Sequence, residues 1–198
     1  MKNFRIHYAL ICTLALLLLG ANYSGDTPTV DHSTGARTTI TYPHHEIHAG
    51  SSFVVSEANT LGDGNTREYL LETANTAKWP HLIITISGSL DTAFILYEDT
   101  TKTTGTAVTE LNRDRNSIKT AGMVVTHTPA GAGNGTPIYT ERFGTDSGPA
   151  GKGGAGGGGR GIHEFILQQN TKYLIIITSH SAANNVTTLF DWYEHTNH

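Results

Sequence analysis

The sequence predicts an all-β protein, an antiparallel β-sandwich that is jelly-roll-like, and three observations lead there. Short segments rich in Thr, Val, Ile, Tyr and Phe recur at fairly even spacing, with turn residues between them. The 198 residues include 30 Thr and 22 Gly, and only 15% are charged, against ~25% in an ordinary globular domain. No stretch of helical length carries sustained apolar residues three and four apart. The length suits one domain with a core of ordinary size.

Three regions are expected in chain order. Residues 1–25 form a signal-like apolar segment: Lys2 and Arg5 precede an uncharged run from Tyr8 to Leu19, followed by Gly20 and Ala21. That run is shorter than the ~20 residues a membrane span needs. A cleaved secretory signal, a retained anchor and a non-targeting start all stay open. Residues 26–37, made of Thr, Ser, Asp, Gly and Pro around Val30, read as a flexible arm that cannot bury enough apolar surface to order itself. Residues 38–198 form the sandwich.

Within it, strands are expected near Thr38–Tyr42, Ser52–Glu57, Glu68–Thr73, His81–Ser87, Ala93–Glu98 and Thr106–Leu111. Five more follow near Met123–Thr128, Ile138–Phe143, His163–Leu167, Tyr173–Ser179 and Thr187–His195. The near-continuous apolar runs Leu82–Ile86 and Leu174–Ile177 suit central strands covered on both faces. The last strand alternates. Leu189, Asp191, Tyr193 and His195 fall on one face, and Phe190, Trp192 and Glu194 on the other.

Composition excludes several function classes. A net charge of −4 leaves no basic surface for phosphates, so no nucleic-acid partner is expected. The lone Cys12 rules out an internal disulfide framework and a Cys-based zinc site. The Gly-rich stretch 144–161 contains Lys152 and Arg160 but breaks the phosphate-loop pattern twice, with Asp146 at the first Gly position and Gly153 after the Lys. It reads as a long flexible loop, or as one that orders at an interface, where Gly would lose much backbone entropy.

Four groups of residues invite a functional reading. In Tyr42-Pro43-His44-His45-Glu46-Ile47-His48, Pro43 argues against a helix. An extended strand would then put His44, Glu46 and His48 on one face, a weak metal-ligand candidate with His195 as a distant addition. The bland alternative is a polar strand face, and no catalytic residue, cofactor or firm metal site is expected. The run Asn112, Arg113, Asp114, Arg115, Asn116 is the densest charge cluster. It reads as a loop with local bonds, or as an intermolecular contact through its arginines, with Lys152 and Arg160 as further interface candidates. Trp79, Trp192 and Tyr193 are either core residues or a sugar-stacking platform. Sequons at Asn22, Asn134 and Asn185 would matter only in a eukaryotic secretory pathway.

A resemblance rests on the order of several motifs: Tyr42 to Ser51, then Lys78-Trp79-Pro80-His81, Asn112 to Ser117, Gln169 to Leu174, and the closing Asp191 to Thr196. Their co-occurrence from about Thr38 to the C-terminus resembles a group of mostly uncharacterised tailed-bacteriophage proteins regarded as virion structural components. The resemblance implies a non-enzymatic, capsid-associated or decoration-like protein of the virion. Such a protein would self-associate, with a trimer among the assemblies it admits, and dock on a capsid or other protein shell. It implies no functional residue. A second expectation takes the N-terminal run at face value: a secreted or surface-attached carbohydrate- or ligand-binding module, or an extracellular filament or matrix subunit. A membrane partner arises only if the N-terminal segment is retained.

Overall fold

In the computed structural model, residues 41–103, 105–145, 154–157 (backbone only) and 163–196 are described. The calls on the signal-like segment and the arm, and those on Lys152 and Arg160, lie outside these residues. The chain from Tyr42 onward forms one unit. It begins with a helix, α1 (Tyr42–His48), followed by β1 (Ser52–Leu61), β2 (Thr66–Glu72), β3 (Lys78–Gly88), β4 (Thr92–Glu98), β5 (Thr106–Ala107) and β6 (Leu111–Asn112). The remaining strands are β7 (Val124–His127), β8 (Thr136–Phe143), β9 (Gly154–Gly157), β10 (Glu164–Ile166), β11 (Lys172–Ser179) and β12 (Asn184–Thr196).

Two antiparallel sheets result. One has the order β10-β3-β12-β1-β6, with β9 also paired to β3; the other has the order β5-β7-β2-β11-β4-β8. The chain changes sheet at β1–β2, β2–β3 and β3–β4, stays in the second sheet for the neighbours β4 and β8, and changes again at β8–β10, β10–β11 and β11–β12. The eight principal strands therefore lie as β1-β12-β3-β10 over β2-β11-β4-β8, the strand order of a jelly roll. Strands β5, β6 and β7 are an insertion between β4 and β8 that extends both sheets at one side.

Side-chain alternation builds the core. Phe53 and Val55, Leu82, Ile84 and Ile86, and Phe190 and Trp192 face inward from the first sheet. Tyr69 and Leu71, Phe94 and Leu96, and Tyr173, Ile175 and Ile177 meet them from the second. The two apolar runs are indeed central: β3 lies between β10 and β12, and β11 between β2 and β4. Leu70 and Leu174, directly opposite one another on the second sheet's outer face, are also fully buried. Beside them Lys102 reaches Glu68 at 2.5 Å, and Thr103 pairs with Ala130 to tie the two covering loops. One buried polar group is satisfied many times over. Asn184 is completely buried where β12 begins. Its amide donates to Asp91 O, Thr92 Oγ1 and Ser179 Oγ, and its carbonyl accepts from Leu90 N and Ser89 Oγ.

Three expectations fail. Tyr42 belongs to a helix and not to a strand over 38–42. The predicted strand 106–111 divides into β5 and β6, one per sheet. Within the Gly-rich stretch, residues 154–157 pair with Thr85–Gly88 as β9.

Candidate functional site

The outer face of the first sheet gathers most of the residues singled out above. Helix α1 forms because Pro43 occupies the first turn, where its missing N–H leaves no bond unmade. It stops at Gly50, whose φ of 67° is left-handed. Ser51 N donates to Glu46 O, and Gly50 N to Ile47 O, both at 2.9 Å, the paired bonds of a glycine C-cap.

Helical geometry overturns the proposed His44, Glu46, His48 face. His44 and His48 project from the exposed side, their Nε2 atoms 3.1 Å apart. Glu46 points inward and is buried, with His45 Nδ1 3.3 Å from its carboxylate. No group of three or more metal-type side chains converges among the described residues. Partial burial, and then the Glu46 carboxylate nearby, push the Tyr42 hydroxyl above its ordinary range.

Tyr42 leads instead to a second cluster. Its ring meets Tyr193 edge-on at 5.9 Å and His195 edge-on at 5.3 Å. Tyr193 stacks on His81 at 4.6 Å with only 14° between planes. His81 and His195 approach Nε2 to Nε2 at 2.8 Å, and the Glu164 carboxylate lies 3.8 Å from His81 Nδ1. Sheet register assembles these residues: β12 runs antiparallel to β3 with Tyr193 opposite His81 and His195 opposite Trp79. The alternation read for the last strand holds, since Phe190, Trp192 and Glu194 face the interior. The sequence suggests His195 as a distant addition to His44, Glu46 and His48, but its ring meets His81, which no spacing in the sequence indicates.

The charged run Asn112 to Asn116 is stapled to the fold end to end. Asn112 is buried and its amide donates to Gly50 O and Lys119 O, while its own side-chain oxygen accepts from Asp114 N. Arg113 reaches Asp191 at 2.8 Å, Arg115 Nη1 reaches Asn112 O at 3.4 Å, and Asp114 accepts from Asn116 N. Lys119 Nζ donates to Ala49 O at 2.7 Å, fastening the loop to the exit of α1. The loop leaves Ile118 almost wholly exposed, at 98%, beside an open cavity of about 450 Å³ between Gly50, Phe53 and Lys78 on one wall and Ile118–Thr120 on the other.

The sugar-stacking platform is not available as read. Trp192 is fully buried and donates its indole N–H to Glu194 at 3.1 Å, and Tyr193 is buried under α1. Glu194 in turn accepts from Gly122 N and Met123 N. Trp79 is half-buried. Among the described residues no helix is long and apolar enough to cross a membrane.

No protein-family model matches the chain, and a search of curated proteins finds no match either.

Proposed function

We propose that this chain is a non-enzymatic structural protein that self-associates and docks on a protein shell, in keeping with the phage virion proteins its motifs resemble. The observation that carries the reading is the rim of the sandwich. Among the described residues β8 is an eight-residue edge strand with β4 as its one neighbour, and it displays Ile138 at 41% exposure. Leu111 and Ile118 stand exposed at the opposite side, and Ile166 on β10. A rigid slab whose edges keep unpaired backbone and isolated large apolar side chains is suited to lateral association. The hydrogen-bonded loop 112–119 presents Ile118 from a fixed support, so little ordering entropy opposes a contact there.

The test is assembly of the full chain against two variants. Removing residues before 38 should leave the fold intact and weaken incorporation into particles, because the arm is assigned to contacts and not to the core. Ile118→Glu should reduce self-association without changing the melting temperature by more than a few degrees. Unchanged incorporation in both variants contradicts the reading, as would saturable binding of the monomer in a glycan array.

A further inference from the structure

Ion pairing is uneven over the sandwich. Among the described residues Arg67, Lys102, Arg113, Arg142 and Lys172 each meet a carboxylate. The remaining cations there, Lys78, Arg115 and Lys119, pair with none. Lys78 and Lys119 stand on opposite walls of the open cavity of about 450 Å³, and Arg115 lies on the loop that builds the second wall. Lys119 Nζ gives one hydrogen bond to Ala49 O, and an ammonium has two more to give. The exposed carboxylates among the described residues are Asp63 and Asp99, and neither accepts a hydrogen bond or joins an ion pair there. Asp63 sits in the turn 62–65 that follows β1, with Gly62 and Gly64 on either side. Asn65 N donates to Gly62 O at 3.1 Å, Gly64 N to Ser179 O at 2.9 Å, and Ser179 N to Asn65 O at 3.0 Å, which fixes the turn. A Cβ built on Gly64 would meet no atom within 4 Å, so the tip projects clear of the fold.

We infer that the cavity between Lys78 and Lys119 receives the Asp63 turn of a second copy of this chain. The inference rests on the self-association proposed above and names the two surfaces that make it. β1 carries one surface at each end: Phe53 lines the cavity, and the turn follows Leu61. The ten-residue strand therefore holds them about 30 Å apart, too far to meet within one chain. Charge is complementary, because a carboxylate without a partner enters between two ammonium groups without one. The flanking glycines keep the tip narrow enough for the cavity, and Ile118, exposed beside it, gains apolar cover. Both parts are ordered before they meet, the turn by its backbone bonds and the loop by Asn112 and Lys119. Unlike surfaces meet, so the contact is head-to-tail, and it generates a ring when the rotation between copies closes. Asp99 follows β4 at the same end of the sandwich as the cavity and serves as the control.

Sedimentation velocity on the full chain reads the contact. Asp63→Lys and the double variant Lys78→Glu/Lys119→Glu are each expected to weaken association at least about tenfold. An equimolar mixture of the two should restore it, since each supplies the surface that the other's altered end requires, and a misfolded variant could not. Asp99→Lys should leave association unchanged, and added salt should weaken it in the unaltered chain. Association that persists in Asp63→Lys, or is lost in Asp99→Lys alone, overturns this contact and leaves self-association standing. A mixture that stays dissociated overturns the contact too. A single protomer of the unaltered chain at every concentration overturns both.

Discussion

Asn184 shows how single side chains hold the sandwich together. Its five hydrogen bonds tie the β3–β4 turn, the start of β4 and the β11–β12 turn into one buried knot. Asn184→Ala should lower stability by about 2–4 kcal/mol, because several buried groups lose partners at once; urea denaturation measures it. Glu57 sets the acid side of the stability profile. Burial acts to raise its pKa, but hydrogen bonds from Arg67 and Tyr69 outweigh that and hold it below its ordinary 4.5. A lowered carboxylate contributes stability above its unfolded pKa and loses it as pH falls through the folded value. Tyr69 and Tyr173 act oppositely. Burial, and then carboxylates that accept their hydroxyls, keep both phenols protonated above the usual 10.0. Their contribution is complete below that pH and disappears as pH rises through their folded values. Thermal melts should therefore show a plateau from about pH 5 to pH 10 with losses on both sides, and Glu57→Gln should flatten the acid loss.

At the scale of elements, β-type composition between turn residues makes most of the strands legible, with alternation clear in the last. The inward Phe190, Trp192 and Glu194 of β12 follow from alternation, and the central positions of β3 and β11 from their near-continuous apolar runs. Helix α1 is not legible when Pro43 is read as a breaker, although a first-turn proline with Gly50 seven residues on is a start and a stop signal. β9 has almost no side chains, so its pairing leaves no pattern to read. The His81–His195 contact is not legible because its members lie 114 residues apart and the β3–β12 register is what joins them. Gly135 shows a local requirement of the β4–β8 connection. Its φ is 91°, and a Cβ there would lie 2.1 Å from Glu98 O. Gly135→Ala should cost more than about 1 kcal/mol, seen as a lower denaturation midpoint. For the edge of β8, Ile138→Lys should leave the melting temperature nearly unchanged and weaken association, since a charged edge resists strand addition; sedimentation velocity reads it.

The unit from Tyr42 onward is a jelly roll with a closed interior and open rims among the described residues. The buried Asp91, Ser179 and Asn184 sit where β3 turns into β4 and β11 into β12. The exposed apolar residues Leu111, Ile118, Ile138 and Ile166 are distributed around the edges. That distribution suits contacts with several neighbours more than a single deep ligand pocket. It also makes the assembly state the property on which the functional reading stands. Size-exclusion chromatography with light scattering on the full-length chain at micromolar concentration tests it most directly. The account predicts a mass at a defined multiple of the protomer, falling toward one protomer in Ile118→Glu or Ile138→Lys. A stable single protomer of the unaltered chain across the concentration range would contradict it.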